Sequence, residues 1–173
     1  MKTVLILLLL SFTQLSAKVL ISPVEAMKEQ YGEDTVISKK NVLLSNKRFK
    51  NIQRAAKTKL TTKIYRIFTA KQEGEVLGYG VLINRKVRSK NGVVLYFIKK
   101  STLQGIEVIA FNEPSEYIPT KKWSAQFKNV NTHTMLRLNR DIPSISGATL
   151  SARSVTDGSR IAFGIYNELL EGR

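Results

Sequence analysis

The chain has no cysteine and one histidine, His133, in 173 residues. Without cysteine there is no disulfide, no thiolate zinc site, no iron–sulfur cluster and no c-type haem attachment. A lipoprotein anchor, which needs cysteine, is excluded as well. A metal would have to be held by carboxylates, and no acidic cluster offers such a site. His133 lies between Thr132 and Thr134 in a polar stretch and is expected on an exposed loop or strand. No apolar run reaches the roughly 20 residues that a spanning helix needs. Neither a Gly-Lys-Ser/Thr phosphate loop nor a G-x-G-x-x-G turn is present, which removes the two commonest nucleotide-binding fingerprints. No repeat or low-complexity segment occurs.

Acid is the other scarcity. Thirteen acidic residues face 28 basic ones, for a net charge of +15. At the N-terminus, Lys2 precedes the apolar run Val4 to Leu10, and Leu15-Ser16-Ala17 ends on a small residue. That is a signal-peptide pattern, with cleavage expected after Ala17 and export to a compartment such as the bacterial periplasm. Loss of residues 1–17 removes only Lys2 and leaves +14. An exported protein rarely meets nucleic acid, so none is expected as a partner. An anionic membrane surface or an acidic protein fits the charge, with plain solubility as the alternative.

With 43% apolar residues the remainder can fold as an α+β domain. Residues 18–59 read as a helical extension. Pro23 opens a helix over Val24–Tyr31 that Gly32 ends, and Ser45 caps a basic helix over Lys47–Lys57 with Phe49, Ile52 and Ala56 inward. Residues 60–173 read as the main domain. Ile64–Phe68, Val76–Asn84, Val93–Ile98 and Ile106–Phe111 predict a four-stranded antiparallel meander, turning at Glu73-Gly74 and at the Asn91-Gly92 hairpin signal. A short helix is expected over Lys121–Phe127. A final helix over Ser151–Leu170 would bury Val155, Ala162, Ile165, Tyr166 and Leu169.

The stretch before that last helix, Asp141-Ile-Pro-Ser-Ile-Ser-Gly-Ala-Thr-Leu-Ser151, concentrates small and hydroxyl residues. Gly147 and Ala148 permit close approach to the backbone. Ser146, Thr149 and Ser151 offer hydroxyls, and a helix start favours an anion. The dipole supplies only about 0.3–1 kcal/mol, so firm retention of a phosphate needs further contacts or a covalent bond. On spacing alone the anion-site signal is weak, and an ordinary capped helix start is the better account of these residues.

Ser146-Gly147-Ala148-Thr149-Leu150-Ser151 resembles the flavinylation motif of the FMN-binding domain family. That family includes flavin subunits of the sodium-pumping NADH:quinone reductase and of its ferredoxin-linked relative, and regulators of nitrous oxide respiration. Gly74 to Val81 is similar to a family strand region. Leu103 to Ile109, then Asn112-Glu113-Pro114, Trp123 and Gln126-Phe127, also resemble family segments, so the likeness spans about residues 60–170. In the family a flavin transferase joins FMN through its phosphate to the motif threonine, which here is Thr149. The family often has an acid six positions earlier; Pro143 stands there, and Asp141 is the nearest acid.

The resemblance implies a covalent FMN at Thr149, cradled by Ser146, Gly147, Ala148, Leu150 and Ser151. It also implies a flavin transferase and membrane or periplasmic redox proteins as partners. With no acid, base or nucleophile set out as a catalytic group, the expected role is electron carriage rather than stand-alone catalysis. Gly78 and Gly80 are candidates to lie close to the ring or phosphate, with a strand bulge as the alternative. Tyr65, Tyr79 and Trp123 are candidates to stack on the flavin, with core packing as the default for each. The rival readings are a basic exported binding module without flavin and a small FMN-dependent reductase.

Overall fold

The computed structural model describes residues 19–172, so the expected signal segment lies outside the described residues. The first helix, α1 (Pro23–Tyr31), starts as its sequence dictates. Pro23 opens it, and the Ser22 hydroxyl accepts the Glu25 N–H at 3.1 Å. Gly32, at φ 113°, closes it with its N–H on the Lys28 carbonyl, 2.7 Å away.

Five long strands follow as a continuous antiparallel meander: β1 (Val36–Leu43), β2 (Ile64–Gln72), β3 (Glu75–Lys86), β4 (Asn91–Lys99) and β5 (Thr102–Phe111). A two-residue β6 (Val130–Asn131) pairs with the start of β5. The β2–β3 turn puts Glu73 and Gly74 at positive φ, and the β4–β5 turn does the same with Lys100 and Ser101. Such turns match the right-handed twist of the strands they join. The class is therefore α+β as expected, with one strand more before the predicted four and a short one after. The segment read as a helical extension contributes that extra strand. Its side chains are mostly exposed, and its apolar residues stand in pairs at the two ends, Val36-Ile37 and Val42-Leu43, so it carries no alternation to betray it. The Asn91-Gly92 signal is corrected too: both residues lie inside β4, and residues 87–90 make the turn.

Each sheet face has its own helices. On one, α2 (Asn46–Ala56) and the 21-residue α4 (Thr149–Leu169) pack over Tyr65, Val81, Tyr96 and Ile98. The expected face of α4, with Val155, Ala162, Ile165, Tyr166 and Leu169, is buried. On the other, α1 sets Met27 and Ala26 against Phe68, Leu95 and Phe97. The two strand glycines are explained here. A Cβ at Gly78 would strike the Tyr31 ring, and one at Gly80 the Met27 sulfur, so both serve the seating of α1. The predicted short helix divides into α3 (Lys121–Ser124) and a 3-10 turn at Ala125–Phe127.

Buried and half-buried polar groups lock α4 in place. The Tyr96 hydroxyl donates to the Val155 carbonyl at 2.8 Å. Arg160 donates to the carbonyls of Ala56 and Leu136, both at 2.7 Å, and pairs with Asp157 at 2.6 Å. Arg85 of β3 meets the other Asp157 oxygen at 3.3 Å. A cation on the last carbonyls of α2 also complements that helix end.

Candidate functional site

The start of α4 lacks a side-chain cap. Ala148 occupies the N-cap position and Thr149 is the first helical residue, so the helix starts two residues before the expected Ser151. Gly147 sits at φ 75°, a conformation that glycine adopts without strain, and its turn is closed by the Ala148 N–H on the Ile145 carbonyl at 3.0 Å. Thr149 is exposed. Its hydroxyl makes no cap bond, and the N–H groups of Thr149, Leu150 and Ser151 have no acceptor among the described residues. A hydroxyl and a turn of unpaired donors thus face the same space.

That space is a pocket of about 250 Å³ built by three segments. The helix start contributes Gly147 to Ser151, the β3–β4 turn Val87 and Arg88, and the segment after β5 Glu113 and Tyr117. Of the six residues singled out from the sequence, Gly147, Ala148, Thr149, Leu150 and Ser151 line it, while Ser146 stands exposed beside the wall. Ser151 and Ala148 are buried, and Leu150 is 44% exposed.

Glu113 organises this pocket, and its role was not evident in the sequence. Only 8% exposed, its carboxylate accepts three successive backbone N–H groups, from Arg88 at 3.0 Å, Ser89 at 2.6 Å and Lys90 at 2.7 Å. The Ser89 hydroxyl adds a bond at 3.3 Å. The Lys90 N–H foremost, with those of Ser89 and Arg88, holds the carboxyl below the usual range against the opposing effect of burial. An anion nest of this kind replaces the expected Asn-Gly turn and sets Arg88 at the pocket rim. The available signal was Glu113 within Asn112-Glu-Pro114, but its partners lie 23–25 residues upstream.

The loop entering the site is pinned twice. Asp141 accepts the Arg137 N–H at 2.8 Å. The Pro143 carbonyl accepts the Trp123 indole N–H at 2.9 Å. The aromatic candidates do not reach the pocket: Tyr65 is core, Tyr79 packs edge-on to Tyr166, and Trp123 stacks at a tilt on Phe127 with centroids 5.2 Å apart. Tyr117 is the aromatic that does line it. His133 is exposed and meets Glu171 at 3.0 Å. A larger cavity of about 580 Å³ opens on the opposite sheet face beside α1, where Glu29, Glu107 and Lys121 meet; none of the motif residues lines it. Burial raises the Glu107 carboxyl there, with Lys121 opposing and Glu29 adding to it.

No protein-family model matches the chain, and no curated protein matches it. Among solved structures, the crystal structure of NqrC from Shewanella oneidensis is similar at 18% identity with a TM-score of 0.49. The match covers 77% of this chain, which spans 64% of the length of that one. A likeness of that size does not place the chain in a family.

Proposed function

We propose that Thr149 carries FMN as a phosphoester and that the protein is an exported flavin electron carrier. The observation that carries this reading is the exposed Thr149 hydroxyl of the Ser146-Gly147-Ala148-Thr149 motif, standing at an uncapped helix start over a pocket. The residues fit the group. Unpaired N–H groups and Arg88 suit a phosphate, while Val87, Tyr117 and Leu150 offer apolar surface to a ring system. The pocket falls below the roughly 300–1,000 Å³ of sites that enclose a whole ligand, so part of the flavin would stay exposed. Covalent attachment then does the retaining, and an exposed edge suits exchange with donor and acceptor proteins. Bound there, flavin supplies one- and two-electron chemistry, with the chain providing position and electrostatics.

Pro143 in the usually acidic position bears on recognition by the flavin transferase. Asp141 is already engaged by Arg137, and Glu113 supplies the carboxylate that shapes the pocket instead. The test is coexpression with a flavin transferase. The mature chain should gain the mass of FMN less one water, located on the peptide containing Thr149. Reversible FMN binding without that gain would overturn the covalent attachment alone. Absence of any flavin would overturn the carrier reading.

A further inference from the structure

Between Asp34 and Glu73 the chain carries eleven Lys and Arg and no acid. That span alone supplies +11 of the net +15. It folds as β1, α2 and β2, so the excess charge sits along one edge of the sheet and the helix beside it. Lys47, Lys50, Arg54, Lys57, Lys59 and Lys63 are exposed, and none pairs with an acid among the described residues. Lys50, Arg54, Lys57 and Lys59 share a shallow depression of about 620 Å³ at the end of α2. Next to Lys63, Leu43 and Ile64 stand opposite one another in the β1–β2 register, 70% and 59% exposed.

We propose that the β1–α2–β2 edge is the face on which the protein rests against an anionic lipid bilayer. Like charges crowded without counter-ions repel, and an anionic plane relieves that repulsion. Lysine stems reach over such a plane while their ammonium groups stay among headgroups, and Leu43 and Ile64 can enter the apolar boundary beside them. Lys39 and Lys40 also guard the free edge of β1 against strand pairing, but the cations of α2 and of residues 57–63 lie on no strand edge and need another account. A bilayer fits better than an acidic redox protein because of position. The Thr149 pocket is built from the β3–β4 turn and from residues after β5, whereas β1 lies three strands from β4, roughly 14 Å at usual strand spacing. A redox partner must approach the pocket; a supporting surface need not. Among the described residues no helix is long and apolar enough to cross a membrane, and the contact proposed is made by the surface of β1, α2 and β2. The choice of a bilayer over a redox protein rests on the reading of the Thr149 pocket, whereas vesicle binding by this face can be measured on the chain without flavin.

Cosedimentation with phosphatidylcholine vesicles, with and without phosphatidylglycerol, tests it. The protein should bind only the anionic vesicles and be released by salt. Each cation removed from the face should weaken binding about fivefold, so Lys50→Gln/Arg54→Gln/Lys57→Gln should lose on the order of a hundredfold. Lys99→Gln/Lys122→Gln/Lys128→Gln removes the same charge elsewhere and should lose less than a tenth as much. Circular dichroism confirms that both triple variants are folded; should the first fail, Lys47→Gln/Lys59→Gln/Lys63→Gln takes its place with the same expectation. Equal losses in the two sets would overturn the proposal, since net charge alone would then govern binding. Binding to polyglutamate without binding to vesicles would overturn it in favour of an acidic protein.

Discussion

Thr149 is the proposed attachment point of the site, and Glu113 organises the turn that borders it. Because Thr149 is exposed and caps nothing, Thr149→Ala should shift stability by no more than about 0.5 kcal/mol. It should nevertheless abolish covalent flavin, leaving a folded and colourless protein after denaturing purification. Thr149→Ser keeps a hydroxyl and should retain part of the label. Glu113 makes a prediction about pH. Its folded-state carboxyl titrates below the unfolded one, so it stabilises the fold above the unfolded glutamate pKa of about 4.3. That contribution should fade as pH falls through the lower folded value. Glu113→Gln cannot accept all of these N–H groups with a charged oxygen. The variant should melt at a lower temperature than wild type at neutral pH, and the gap should narrow in acid. A gap that is constant with pH in thermal melts would contradict the anion nest.

At the scale of elements, the site depends on how α4 sits on the sheet. Gly158 lies directly over the Tyr96 hydroxyl, which is itself held by the Val155 carbonyl. Alanine favours a helix interior over glycine by about 1 kcal/mol, but its methyl would collide with a ring that cannot turn aside. Gly158→Ala should therefore destabilise by about 1–3 kcal/mol in denaturant titration, and Tyr96→Phe in the same chain should recover part of the loss. The entry loop makes a second case. Trp123→Phe preserves the packing on Phe127 but leaves the Pro143 carbonyl without its donor, at a cost of about 0.5–1.5 kcal/mol. Looser presentation of Thr149 should then lower the fraction of chains flavinylated, measured by intact mass.

For the whole molecule, the expected export makes a prediction about the N-terminus. Val19 already bridges to Ala110, and the Leu20 N–H donates to the Ile109 carbonyl at 2.9 Å. Cleavage after Ala17 would leave Lys18 as the only residue before the paired chain. N-terminal sequencing of protein from its native cell should therefore begin near Lys18; a start at Met1 in a cytosolic fraction would contradict export. The cations of β1, α2 and β2 gather at the β1 edge of the sheet, three strands from β4, on the same face as α4 but away from the pocket at its start.

Local information in the sequence determined α1 and α2 through Ser22, Pro23, Gly32 and Ser45, since a cap or stop acts within one helical turn. It determined the central strands by their apolar runs, the inward face of α4 by its period, and the motif at Thr149 by adjacency. Other features were decided by tertiary structure. β1 is a strand because β2 offers it a ladder over eight residues, while its apolar pairs, separated by Ser38 to Asn41, show no strand period. Gly78, Gly80, Tyr79 and Trp123 went to the core because α1, α4 and the Pro143 loop claimed them. Glu113 joined the site because the sheet brings the end of β5 beside the turn before β4, and three N–H groups so distant in sequence leave no local trace. The gathering of cations along one edge follows likewise from strand order, which charge counting along the chain cannot supply.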